Sequence, residues 1–554
     1  MNKLKIGLII DSTDVNIYKK NLVEYIVNNN QYFDRPVLIS QNFDNSKPQF
    51  NIKKFLKLIF YQLILKLIEK VIYKLINFLE IRTVRKNKLH SNYGKFFDLN
   101  EFNLKLIKVY PTVSKSGYFY RFLDSDLDNI KNLNLDVLIR CGSGIHKGQI
   151  LSITKFGILS FHHGDNRVNR GSVSGFWETF FDWPSTGFII QRLNEELDGG
   201  DVICRGNITT SPLWHENNAQ LLLKSNYFMF QTLKYLYENI SLPPIEPSVS
   251  CSNKIFKKPN TYHLIKYLLK EYPKIIKTKI HFFLNIKKKW SVSFINQSGL
   301  KISMNKSVMI KNPPNRFLAD PFIIKHNNKN ICFVEDFYFK ENKGKISAFE
   351  LSGNSYKEIG IAIEENFHMS FPYVFKNNNN IYMIPETSEH KEIRLYKCEE
   401  FPLKWKLEKV LMNNIVAVDT VVFNQKNKWH MLTNICSSSI GEHLSELHMF
   451  EADNLVTDIW KQSKNNPIIF DSEKARNGGL FCINKIFYRV NQSQNKDTYG
   501  YSFKINKIKS INKDFYIEEE ISHIKPNFFK SLIATHHLHM NDDYTVFDHC
   551  SFSK

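Results

Sequence analysis

Short segments of one kind recur down the second half of the chain: Ala319-Asp320-Pro321-Phe322, Ser370-Phe371-Pro372-Tyr373, Ala417-Val418-Asp419-Thr420 and Ala475-Arg476-Asn477-Gly478. A fifth unit starts near Ala534-Thr535-His536-His537. A period of about fifty residues is that of propeller blades, units that bury their apolar faces only by packing on neighbours. Short alternating strands at 331–335, 381–384, 393–396 and 429–432 lie between Asn- and Lys-rich turns. The expectation for 291–554 is an all-β five-bladed propeller.

The first part has another rhythm. Apolar runs at 5–11, 36–40, 106–110 and 137–140 read as strands, and 15–28 and 124–133 as helices. Such alternation predicts an α/β domain over 1–242 with a parallel sheet and a helical insertion at about 50–90. Parallel sheets place ligands at the carboxyl ends of their strands, where Gly142 and Gly144 follow the run at 137–140. Prolines at 243, 244 and 247 open a Pro- and Lys-rich connector over 243–290. It contains a helical stretch at 262–286 that closes on Lys287-Lys288-Lys289, read as a solvated helix end.

Lys and Arg total 75 against 54 Asp and Glu, a net charge of +21 that favours polyanionic neighbours. No P-loop, RNP-type aromatic motif or helix-turn-helix accompanies the charge, so no specific nucleic-acid partner is expected. The eight cysteines are scattered without a CxxC pair, which fits a reducing compartment. No secretion signal is read at the start of the sequence. Gln62, Lys66, Lys70 and Lys74 recur on one face of a helix at 55–79, with Leu58, Leu65, Ile68, Ile72, Leu75 and Leu79 largely on the other. That face packs on its own domain or lies on an anionic membrane. The expected localisation is cytoplasmic, with peripheral attachment at the inner membrane face as an option.

The segment 156–203 carries the most chemistry. An apolar strand runs into His162 and His163, a position that suits an acid, base or electrophile. Asp198 sits beside Gly199 and Gly200, which allow close approach to a ligand. The His and Asp fit a structural pair equally well. In the propeller half, His536, His537 and His539 lack a carboxylate or cysteine at supporting spacing, so no metal is assigned.

Residues 135–205 resemble the amino-terminal domain of the folate-dependent formyltransferases. Ser160-Phe161-His162 takes the place of the family's Asn-x-His, Arg170-Gly171 that of its loop-closing pair, and Leu197-Asp198-Gly199-Gly200 that of its aspartate loop. The resemblance implies transfer of a formyl group from N10-formyltetrahydrofolate to an amine. His162 would stabilise the oxyanion, Asp198 would assist the proton transfer, and Ser160 or His163 would supply a second donor. Gly142, Gly144, Leu197 and Gly199 would line the folate site, and Arg170 and His163 would face the acceptor. The serine at 160 departs from the family's asparagine.

The second half resembles the propeller domain of plant glucosamine inositolphosphorylceramide transferases, through Phe317-Leu318-Ala319-Asp320-Pro321-Phe322, Met383-Ile384-Pro385-Glu386-Thr387 and Ala475-Arg476-Asn477-Gly478-Gly479. That domain is in turn similar to five-bladed glycoside hydrolases. By this resemblance Asp320 stands at the base position and Asp419 at that of a modulating aspartate, both in contact with substrate. No carboxylate is in register at 475–479, so binding or scaffolding is expected over hydrolysis. The combined expectation is an N-formyltransferase acting on a nucleotide- or lipid-linked amino sugar for a surface polysaccharide. The alternatives are a methionyl-tRNA formyltransferase-like enzyme and a non-catalytic glycan-binding protein acting through the propeller.

Overall fold

The computed structural model describes residues 2–43, 56–171, 173–196, 200–247, 255–438 and 442–553, with 56–63 described by backbone alone. Two compact units meet at Pro273 and Lys274. The stretch expected as a connector is therefore not one throughout. Leu264 and Tyr267 are fully buried in the first unit's core, beside Ile76, Phe176 and Trp214.

The first unit is built on a seven-stranded sheet. Its strands are β1 (Ile6–Ile10), β2 (Val37–Gln41), β3 (Leu106–Val109), β4 (Val137–Arg140), β5 (Ile158–His162), β6 (Ser185–Arg192) and β7 (Asp201–Thr209). The order is β7-β6-β5-β4-β1-β2-β3. Strands β3, β2, β1, β4 and β5 pair in parallel, and β6 and β7 add antiparallel edges. Near-continuous apolar runs such as Ile6-Gly7-Leu8-Ile9-Ile10 are buried throughout, as a sheet covered on both faces requires. The helices are α1 (Ile17–Asn28), α2 (Leu56–Val84), α3 (Asp124–Lys131), α4 (Phe176–Phe181), α5 (Trp214–Asn239) and α6 (Thr261–Phe283), the last running past the division at Pro273.

Helix α2 does not bury the face that its pattern predicts. Ile76, Glu80 and Val84 are inside, whereas Ile68, Leu75 and Leu79 are exposed. Glu80 sets the rotation: its carboxylate accepts from the Tyr267 hydroxyl at 2.7 Å and from the backbone N–H of His215 at 3.0 Å.

The second unit consists of five successive antiparallel sheets. Four of them begin with β9 (Arg316–His326), β10 (Ser370–Asn377), β11 (Ala417–Gln425) and β12 (Asn477–Ile483), and each carries at least three further strands. The remaining sheet joins β8 (Lys287–Ile295) to β13 (Thr545–Ser553), in register from Lys287 opposite Ser553 to Ile295 opposite Thr545. Lys287-Lys288-Lys289 is thus the start of a paired strand, and the reading of it as a solvated helix end is corrected. Buried Phe322, Phe333, Phe371, Met383, Val421 and Met431 belong to one continuous apolar cluster that runs across adjoining sheets.

The recurring segments share an irregularity of strand register. Register shifts fall between Ala319 and Phe322, Ser370 and Tyr373, Val418 and Val421, and Asn477 and Leu480. Inside them Asp320, Phe371 and Asp419 have φ of 48°, 44° and 52°, and Gly479 has φ of 128°. Each is a β-bulge that bends its strand and re-aims the side chains at the bend. Asp tolerates the left-handed region better than most residues, but Phe371 holds it only under constraint from its surroundings.

Candidate functional site

In the first unit, strand periodicity divides the residues expected to act together. Phe161 and His163 lie on one face of β5, and Ser160 and His162 on the other. A cavity of about 230 Å³ is lined by Lys19, Arg140, Gly142, Phe161 and His163, among others. Within it Nε2 of His163 lies 3.1 Å from the Ser225 hydroxyl, and burial pushes its pKa down to about 3. This imidazole is neutral and tied to a helix. Ser160 is fully buried, and its hydroxyl donates to the carbonyl of Phe161 at 3.0 Å. Nε2 of His162 lies 3.3 Å from the carbonyl of Asn169. Gly142 and Gly144 follow β4, where an added Cβ at 142 would meet Gln41 and Asp11, and one at 144 would meet the Tyr120 ring. Arg170 pairs with Ile255 in a short parallel ladder. Leu197, Asp198 and Gly199 lie outside the described residues.

The second unit brings its expected residues into one polar centre. The bulges of β9 and β11 supply Asp320 and Asp419, both buried. Oδ1 of Asp320 lies 3.8 Å from Nε2 of His536 and 3.7 Å from Nδ1 of His537. Nδ1 of His536 lies 2.7 Å from Asp548, whose other oxygen accepts the backbone N–H groups of His536 and His537 at 3.0 and 3.1 Å. Trp290 stacks on the His536 ring at 3.9 Å. The result is an Asp–His–Asp line with its imidazole fixed by a carboxylate on one side and an indole on its face.

Beside it, Nε of Arg476 donates to Asp419 at 2.6 Å, and its Nη2 lies 3.9 Å from Glu386. Gln492 donates to the same oxygen of Asp419 at 3.2 Å. Burial pushes the pKa of Asp320 up to about 7, with His536 opposing and Asp548 and Asp419 adding to it. Burial also raises Asp419 to about 6, against the pull of Arg476. Glu335 stands well above the carboxylate range through burial and the nearby acids, Asp320 first. Burial works against the charge on His536, yet Asp548 and Asp320 hold its pKa above the ordinary value. A carboxyl that titrates near neutrality, next to a fixed imidazole, can accept or donate a proton to a bound hydroxyl or amine.

Ligand atoms of Asp320, His536 and Asp548 lie within 4.8 Å of one another, close enough to hold a metal ion. Asp548, however, already accepts from Asp320 N at 3.2 Å as well as from the two histidine amides.

Sequence reasoning placed Asp320 and Asp419 and missed how His536, Asp548, Arg476 and Glu386 join them. The start of the fifth recurring segment at 534–537 was the available signal for His536. For Asp548 there was none, because it belongs to a strand paired with the start of the unit.

Residues 300–538 match the family model described as glucosamine inositolphosphorylceramide transferase 1, N-terminal. Glucosamine inositolphosphorylceramide transferase 1 of Oryza sativa subsp. japonica is 34% identical over 215 residues, 38% of this chain and 28% of that protein. The protein of the same name from Arabidopsis thaliana is 33% identical over 213 residues, with the same coverage. The chain thus spans well under half the length of these relatives. Among solved structures, the family 117 glycoside hydrolase Zg3597 of Zobellia galactanivorans is similar at 11% identity and a TM-score of 0.32, covering 48% of this chain and 91% of that one. The N-formyltransferase of Helicobacter canadensis is similar at 12% identity and a TM-score of 0.29, covering 65% and 99%.

These relatives correct the functional expectation. They are named as glucosamine inositolphosphorylceramide transferases, not as formyltransferases. Formyl transfer to an amino sugar, its methionyl-tRNA variant and a non-catalytic glycan-binding role are therefore set aside. What the comparisons establish is that the 300–538 region of this chain is similar to the amino-terminal part of the glucosamine inositolphosphorylceramide transferases.

Proposed function

We propose that the chain is a transferase of glycoconjugate synthesis that takes a sugar-bearing substrate at the Asp320–Asp419–His536 centre of its second unit. In this reading the five sheets are blades of one propeller, with β8 and β13 closing the ring and the four bulged strands facing its middle. The observation that carries the proposal is the centre itself. Buried carboxylates from separate sheets, one guanidinium and one imidazole converge within the region matched by the transferase family.

Sugars present hydroxyl groups in fixed directions, and Asp320, Asp419, Arg476 and Gln492 offer donors and acceptors from several sides. Asp320 is the proton acceptor for the attacking hydroxyl or amine of the substrate. Its raised pKa places that exchange near neutral pH. His536, oriented by Asp548, stabilises the Asp320 carboxylate once it is charged. The substrate class is that of the relatives' names, a glucosamine- or inositol phosphate-bearing glycolipid head group.

Calorimetric titration of the full chain with glucosamine, inositol phosphate and a glucosaminyl-inositol phosphate tests this reading. The expected result is saturable binding that weakens at least tenfold in Asp320→Asn and Arg476→Gln. Absence of binding to all three ligands, or equal binding by both variants, overturns it.

A further inference from the structure

Helix α6 has two apolar faces. The inner one carries Leu264 and Tyr267, both fully buried, and the Tyr267 hydroxyl accepts from the backbone N–H of Trp214 at 2.8 Å. Advancing 100° per residue, Tyr262, Ile265, Leu269, Ile276, Ile280 and Phe283 all fall within about 40° of the direction opposite Tyr267. All six are exposed, Leu269 by 72% and Phe283 by 83%, and the adjoining Phe282 by 82%. At about 1.5 Å per residue this stripe runs the length of a helix about 35 Å long.

Lysines border the stripe. Lys266 and Lys277 lie on one flank and Lys279 on the other, and none of the three has an acidic ion-pair partner among the described residues. The one acidic side chain on the helix, Glu271, is fully buried on the inner side. Helix α2, joined to α6 by the bond from the Thr261 hydroxyl to the carbonyl of Leu65 at 3.2 Å, repeats the design. Its exposed apolar residues include Leu67, Val71, Leu75 and Phe78, with Lys66, Lys70 and Lys74 alongside. Among the described residues no helix is long and apolar enough to cross a bilayer.

We propose that the outer face of α6 lies in the surface of an anionic membrane, its apolar stripe in the headgroup–acyl boundary and its lysines on lipid phosphates. Apolar side chains in a single stripe, bordered by cations and free of acids, suit a layered environment that is oily within and negative at its edge. Lysine stems extend along the apolar surface and place their ammonium groups at the phosphate level. A protein partner would bury the stripe equally well, but the one-sided charge of its borders favours the anionic surface.

The test is co-sedimentation of the full chain with phosphatidylcholine vesicles, with and without phosphatidylglycerol. Three proteins are compared: wild type, Leu269→Asp/Ile280→Asp, and Lys266→Glu/Lys277→Glu/Lys279→Glu. The wild type is expected to bind the anionic vesicles at least tenfold more tightly than the neutral ones, and less tightly as salt is raised. The first variant should lose binding to both, and the second should lose the preference for phosphatidylglycerol. All the changed side chains are exposed, and circular dichroism checks that each variant is folded. Failure of the wild type to bind, or unchanged binding by both variants, overturns the proposal. So does a wild type that ignores vesicles but sediments as a dimer that Leu269→Asp/Ile280→Asp dissociates, since the face would then be an interface between copies.

Discussion

Asp548 lies 2.7 Å from Nδ1 of His536 with one carboxylate oxygen and accepts the His536 and His537 amides with the other. One buried side chain thus fixes both the backbone and the ring of the residue that faces Asp320.

Replacing that carboxylate isolates its effect. Asp548→Asn keeps the shape but removes the charge that offsets the burial of His536. The His536 pKa, above its ordinary value in the wild type, is expected to fall below it in the variant, as an NMR titration would show. A group with a raised folded pKa adds stability at low pH and loses that contribution as pH rises through the folded value. The wild-type advantage should therefore be largest below the ordinary histidine value and fade again where Asp548, held below the usual carboxylate range by His536 against its burial, is protonated. Leaving buried donors poorly paired costs about 1–3 kcal/mol, read by chemical denaturation.

Asp320 has the opposite effect on the pH profile from an ordinary ion-paired carboxylate. Its folded pKa is raised from 3.8 to about 7, so the folded state binds the proton more tightly than the unfolded chain. Its contribution to stability is greatest below the unfolded value and declines as pH rises to the folded one. Asp320→Asn should flatten the fall in stability across that interval. Denaturation midpoints measured at intervals from pH 4 to pH 8 would reveal an unchanged slope if the premise is wrong.

The ion pair between Arg476 and Asp419 is buried at the carboxylate and half-buried at the guanidinium. Removing the cation alone strands a carboxylate that burial already disfavours, at a cost of about 3–5 kcal/mol. Arg476→Ala should be strongly destabilised, and Asp419→Asn/Arg476→Ala should recover part of the loss. A double-mutant cycle on denaturation free energies measures the coupling.

Gly500 guards the same centre sterically. It has φ of 59°, and an added Cβ would lie 2.7 Å from Cβ of His536. Gly500→Ala should displace the imidazole from Trp290 and cost about 1–2 kcal/mol in backbone strain, with the sheets otherwise intact. The readout is a change in the tryptophan fluorescence and near-ultraviolet circular dichroism, with the far-ultraviolet spectrum unchanged.

The parallel strands of the first unit were legible in part because buried parallel strands are continuous apolar runs, as at Ile6–Ile10 and Val137–Arg140. The recurrence of Asp320 and Asp419 was legible because a bulge fixes a residue and its neighbours together, so the local sequence carries the geometry. The opposite facing of His162 and His163 is a matter of period: neighbours on a strand face opposite sides, and a motif written as consecutive letters hides this. The partnership of Asp548 with Asp320 spans a strand pairing that no local window contains. The outer face of α6 escaped notice because its lysines dominate the composition, and only the position of Tyr267 reveals that the remaining apolar residues point away from the core.

The ladder between Lys287–Ile295 and Thr545–Ser553 has a topological consequence. It ties the first strand of the second unit to its last, so the two ends of that unit's chain lie side by side in one sheet. A single cut in a turn between sheets therefore leaves the two pieces joined through that ladder. The same ladder joins segments far apart in sequence, so Lys287–Ile295 stays without this partner until Thr545–Ser553 has been synthesised.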